Sequence, residues 1–78
     1  MNLEIITPEK KLFEGKFKAV LLPGKTGKFE VLNNHAPIIS SLTKGQVKVT
    51  DVDNQLKFFE IKGGVIEMQN NKIIVLAD

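Results

Sequence analysis

Turn-forming residues interrupt this chain too often for long helices. Pro8, Gly15, Pro23-Gly24, Thr26-Gly27, Asn33-Asn34, Gly45, Asp51-Val52-Asp53-Asn54, Gly63-Gly64 and Asn70-Asn71 leave only short apolar runs between them. A buried helix needs about 10–12 residues of sustained 3.6-residue periodicity, and none is present. The runs follow a period of two instead. Val47 and Val49 share one side against Gln46, Lys48 and Thr50, and Phe29 and Val31 share a face of Lys28 to Leu32. From Ala19 to Leu22 both faces turn apolar, so that strand becomes enclosed towards its end. Phe58 and Phe59 break alternation and are read as core residues, accommodated by a bulge or by burial on both faces. Turn signals at roughly 8–12-residue spacing predict an all-β fold of about nine to ten short strands in a flattened two-sheet sandwich or barrel. One domain, residues 1–78, is expected.

Size bears on what the fold requires. A chain of 78 residues buries only about 60% of the surface its unfolded form exposes, so a partner that covers part of it would add stability. With no Cys, disulfides, thiolate nucleophiles and cysteine-ligated zinc are excluded. No run approaches the ~20 apolar residues of a membrane-spanning helix, and Met1-Asn2-Leu3-Glu4 lacks the basic head and apolar core of a signal peptide.

The net charge is +2, and all 11 basic residues are Lys. Lacking the guanidinium fork, the chain is poorly equipped for bidentate readout of phosphate or guanine. Trp and Tyr are absent, which leaves five Phe as the available stacking surfaces. The positive balance motivates one alternative, a small β-barrel that binds an anionic ligand such as RNA. A catalytic alternative would combine His35, the single histidine, with Ser40 or Ser41. No nucleophile elbow surrounds either serine, and no carboxylate spacing resembles a metal-ligand set, so neither a catalytic residue nor a cofactor is expected. Gly24-Lys25-Thr26-Gly27 lacks P-loop spacing, and Gly24 is read as a turn glycine with positive φ. Gly63-Gly64 is read either the same way or as a site of close backbone approach. His35 has two readings, a loop histidine that fixes the turn before Pro37 or an interface residue. Phe29, Leu32, Ile38 and Ile39 border irregular loops and are the candidates for an exposed apolar patch.

The order of motifs carries a further reading. Gly27-Lys28-Phe29-Glu30-Val31-Leu32-Asn33-Asn34-His35-Ala36-Pro37, then Leu42 and Gly45, then Phe58, Ile61 and Gly63-Gly64-Val65-Ile66-Glu67-Met68, ends in Val75-Leu76-Ala77-Asp78. Together with Leu3-Glu4-Ile5-Ile6-Thr7-Pro8 and Leu12-Phe13-Glu14-Gly15, this series resembles the epsilon-subunit family of F-type ATP synthases, in its N-terminal β-sandwich domain. The resemblance covers essentially the whole chain.

That resemblance implies a non-catalytic rotor part of the central stalk. In the family the sandwich grips the gamma subunit, sits on the membrane c ring and turns with both, so that proton flow is coupled to ATP synthesis in other chains. It implies a peripheral position on the cytoplasmic face of the bacterial inner membrane, with no nucleic-acid partner. Gly27, Lys28, Phe29, Asn34, His35, Ala36 and Pro37 align with family positions that face the c ring and gamma. Lys28 departs from the acidic or polar residues common in that turn. Most relatives continue into a C-terminal helical pair that restrains ATP hydrolysis and in some binds ATP. With the sequence ending at Asp78, the expectation is a short form lacking both.

Overall fold

Eight strands form among the residues described by the computed structural model, 2–33, 38–69 and 72–78. They are β1 (Asn2–Ile6), β2 (Lys11–Gly24), β3 (Gly27–Leu32), β4 (Ile39–Leu42), β5 (Gly45–Asp51), β6 (Leu56–Ile61), β7 (Gly64–Gln69) and β8 (Lys72–Ala77). The all-β expectation holds, with eight strands in place of nine or ten. The difference lies at Gly15, read as a strand end. There β1 pairs straight across, Leu3 opposite Gly15, so the two segments either side fuse into the 14-residue β2.

β2 serves both layers of the sandwich. Its first half pairs with β1, and its second half lies between β3 and β5. Between them the β2–β5 register moves from Phe17↔Asp51 to Ala19↔Thr50, leaving Lys18 as an extra residue. Such a bulge bends a strand and lets it turn a corner between sheets. One layer is β6–β5–β2–β3. The other runs β2–β1–β8–β7–β4, and a single pairing, Gly24↔Leu42, returns it to β2 and closes a ring of hydrogen-bonded strands. β1 and β8 are parallel, Leu3 opposite Ile73 and Ile5 opposite Val75, so both ends of the chain lie at the centre of one sheet.

The core fills the space between the layers. Leu3 and Ile5 of β1, Phe17, Val20 and Leu22 of β2, Val31, Leu42, Val47, Val49, Ile61, Ile66, Ile73 and Val75 are all buried. The alternation of Val47 and Val49 is borne out. Phe58 is not a core residue. β6 pairs with β5 in unbroken register and needs no bulge, so Phe58 points outward, 50% exposed, while Phe59 turns inward. Phe59 meets Phe13 with the rings tilted by 59° and their centroids 6.0 Å apart, and Lys57 Nζ lies 5.5 Å from the Phe13 centroid. Phe13 and Phe59 are half-buried and pack against the core.

Local chemistry fixes the turns. The Thr7 hydroxyl donates to the Lys10 carbonyl (3.0 Å) and accepts from the Glu9 and Lys10 amides (3.3 and 3.1 Å), setting the turn that contains Pro8. Asp51 Oδ1 accepts from the Asp53 and Gln55 amides, both at 2.9 Å, and Asn54 adopts φ 64°, as tight reversals require. Gln69 pairs with Lys72 across the last hairpin, whose expected Asn70-Asn71 turn lies outside the described residues.

Glu4 ties β1 to both neighbours. It is only 7% exposed and sits on the outer side of its sheet, where Lys11 Nζ of β2 and Lys72 Nζ of β8 approach its carboxylate oxygens at 2.8 and 2.9 Å. Hydrogen bonds from Lys11 first, then Lys72, hold its pKa below the ordinary 4.5. A carboxyl that is more acidic folded than unfolded adds stability above its unfolded pKa and loses it as pH falls through the folded one. Glu4→Gln is therefore expected to be less stable than the parent above pH 4.5. The gap should narrow as pH drops below that value. Denaturant titrations across the acid range measure it, and a gap independent of pH would contradict the assignment.

Candidate functional site

No centre suited to catalysis forms among the described residues. Among the described residues, no group of three or more Asp or Glu side chains is placed to hold a metal, and no buried side-chain polar atom lacks a partner. Ser40 is spent locally on the Ser41 carbonyl at 3.5 Å. His35, with Asn34, Ala36 and Pro37, lies outside the described residues. What remains is surface, and its character differs between the end bearing the β2–β3 hairpin and the two outer faces.

The hairpin is set by two glycines with different duties. Gly24 pairs with Gly27 across Lys25-Thr26. Contrary to the sequence reading, Gly24 has no positive φ. It is small because space is lacking: a Cβ there would lie 2.6 Å from the Gly27 carbonyl oxygen and 2.8 Å from the Phe29 ring. Gly27, at φ 132°, carries the unusual backbone conformation. Phe29 thus lies over Gly24, half-buried against the core, and Lys28 stands exposed opposite Pro23. The structure accordingly brings Gly27 and Lys28 to the surface and turns Phe29 inward.

The expected apolar patch divides the same way. Leu32 (53%) and Ile39 (79%) are exposed, whereas Ile38 is half-buried. Leu32 and Ile39 also stand on different layers. Ile39 belongs to the outer side of β4–β7–β8–β1, where the register sets Ser41, Val65, Leu76 and Ile6 in one row and Ile39, Glu67, Ile74 and Glu4 in the next. Leu32 belongs to the outer side of β3–β2–β5–β6, in a row with Ala19, Thr50 and Leu56, beside the row Glu30, Leu21, Lys48 and Phe58. Both outer faces therefore display apolar side chains to solvent. The sequence reading missed Val65, Leu76, Leu56 and Phe58. The unbroken run Ile73-Ile74-Val75-Leu76 populates both faces of β8, and here Ile73 and Val75 turn inward while Leu76 stands on the outer face.

Comparison with known proteins places these surfaces in a family. The model of the β-sandwich domain of the ATP synthase delta/epsilon chain matches residues 1–78. The ATP synthase epsilon chain of Chlorobaculum tepidum is 40% identical over 77 residues, covering 99% of this chain and 88% of that protein. That of Campylobacter fetus is 41% identical over 78 residues, and the chain spans 60% of its length. Among solved structures, a chain of the Euglena gracilis mitochondrial ATP synthase, in its OSCP/F1/c-ring assembly, superposes with a TM-score of 0.87 at 16% identity, over 96% of this chain and 48% of that one. A chain of the Tetrahymena thermophila central stalk and c ring gives 0.81 at 18% identity, over 99% and 62%. At such identities the structural likeness speaks for the fold alone.

Proposed function

The chain belongs to the family of ATP synthase delta/epsilon β-sandwich domains, and from that premise we propose that it is a non-catalytic central-stalk subunit of an F-type ATP synthase. The match over the full 78 residues carries this reading. In it, the domain joins the gamma subunit to the membrane c ring, turns with both, and so helps to couple proton flow to ATP synthesis. It lies peripherally on the cytoplasmic face of the bacterial inner membrane and reaches the membrane through its partners. Gly27, Lys28, Asn34, His35, Ala36 and Pro37 face those partners, with Phe29 supporting the hairpin from beneath.

The physical form supports the assignment. A rotor part transmits torque, which calls for stiffness and more than one interface, and no nucleophile. Closure of the strand ring and the central position of both chain ends stiffen the domain. The apolar outer faces suit permanent contacts, which are more apolar than transient ones. The test is reconstitution. Membrane vesicles stripped of this subunit should lose proton-driven ATP synthesis and regain it when the purified chain is added. Recovery with buffer alone, or none with the folded chain, would overturn the reading.

A further inference from the structure

Two strands of the β3–β2–β5–β6 layer have an open side, since among the described residues β3 pairs only with β2 and β6 only with β5. Such a side is a row of unpaired amides and carbonyls, a template for another strand. The register tells which residues supply the row. The Asp51 amide donates to the Gln55 carbonyl at 3.0 Å, and that pair adjoins Thr50↔Leu56 in the same ladder. Bonded and non-bonded pairs alternate along an antiparallel ladder. Lys57 and Phe59 are therefore bonded to β5, while Leu56, Phe58 and Glu60 aim their amides and carbonyls away from it. The same argument at β3, from the Asn33 amide to the Lys18 carbonyl at 3.2 Å, leaves Lys28, Glu30 and Leu32 on its open side. Charged side chains discourage strand addition, and Lys28 and Glu30 guard β3 in this way. The row on β6 instead begins with Leu56 and Phe58, each about half exposed.

We propose that β6 is a strand-addition site and that, in the free chain, a second copy occupies it, antiparallel, with Phe58 opposite its own counterpart. Two edges join where residues with outward-aimed backbone groups meet. This register sets Phe58 against Phe58 and Leu56 against Glu60, so all three residues of each copy gain backbone partners. The two Phe58 rings, exposed in the single chain, then cover one another across the two-fold axis. Charge favours the same arrangement. β6 follows a turn that carries Asp53 and leads into Lys62; both are exposed, and neither joins an ion pair among the described residues. In the antiparallel register Lys62 of each copy falls opposite Asn54 of the other, next to Asp53, whereas a parallel one would set like charges together. The two β3–β2–β5–β6 layers become one continuous sheet. The inference concerns the chain free of partners and stands independently of the functional reading above.

Sedimentation equilibrium of the purified chain, from micromolar to millimolar concentration, is the experiment. One strand pair buries less than a standard interface, so the mean mass should approach twice that of the monomer only at the upper end of the range. There the Leu56, Phe58 and Glu60 amides should exchange with solvent about tenfold or more slowly than in dilute solution, with Lys57 and Phe59 changing little. Phe58→Lys sets like charges opposite one another and should stay monomeric at every concentration, folded by circular dichroism. Phe58→Pro should behave likewise, because it removes an amide that β5 does not use; if it fails to fold, Phe58→Lys decides. Leu32→Lys, on β3, should dimerise as the parent does. A mean mass that never exceeds the monomer overturns the inference, and so does a dimer that survives Phe58→Lys. Protection of the β6 amides by added gamma, in a chain that is monomeric alone, overturns it in favour of a strand from gamma. Each of these results leaves the functional reading to its own reconstitution test.

Discussion

Gly64→Ala is expected to lower stability by about 2–6 kcal/mol, combining backbone strain with forced overpacking. Gly64 opens β7 at φ 142°, a conformation L side chains rarely adopt. Its missing Cβ would run into the Leu76 carbonyl oxygen and lie 2.9 Å from Ala77 Cα. Neither neighbour has room to yield, because Gly64 is paired with Ala77 on one side and with Leu42 on the other. The Asp78 amide is tied to the Gly63 carbonyl at 3.0 Å as well. A domain of this size has only about 4–12 kcal/mol of stability in total. The midpoint should therefore fall by roughly 10 °C or more in a thermal melt followed by circular dichroism, or the cooperative transition should vanish. Gly27→Ala is the control. Its φ of 132° is also strained, but nothing lies within 4 Å of the added methyl group, so about 1–3 kcal/mol is expected. Equal effects at the two positions would show that crowding contributes nothing at Gly64.

Phe17→Ala is expected to remove about 3–5 kcal/mol, the usual range for truncating a buried aromatic residue. Phe17 is among the largest fully buried side chains and stands at the bulge where β2 passes from one layer to the other. Its loss leaves a void at the corner that both sheets share, and closing that void would require both layers to shift. Phe58→Ala removes the same side chain from an outward position on β6 and should change stability by no more than about 0.5 kcal/mol. Chemical denaturation of the pair measures the contrast. A small effect at Phe17, or a large one at Phe58, would contradict the inward and outward assignments of β2 and β6.

What the sequence revealed and what it concealed have physical causes. The hairpins at Thr26-Gly27 and Asp51–Asn54 were legible because Gly, Asn and Asp supply conformations that a reversal needs whatever surrounds it. Val47 and Val49 were legible because one-sided burial leaves a period-two trace. Gly15 misled because a glycine in an extended conformation looks, in sequence, like one in a turn, and only the pairing with Leu3 shows that the strand continues. Gly24 misled for the converse reason, since its constraint is the Phe29 ring and a facing carbonyl, both set by tertiary packing. Phe58 was misplaced because hydrophobicity was taken as burial, whereas much of any folded surface is apolar. Gly27-Lys28-Phe29 was singled out as a proposed interface through family likeness, and the inward turn of Phe29 needed coordinates.

The central claim is a place in the rotor, and one measurement bears on it most directly. The chain, carrying an affinity tag and produced in its own organism, is recovered from detergent-solubilised membranes, and the co-purifying subunits are identified and quantified by mass spectrometry. Gamma and the c ring are expected with it, in constant ratio to the catalytic head. Recovery of the folded chain as a free monomer, with no ATP synthase subunit attached, would contradict the account.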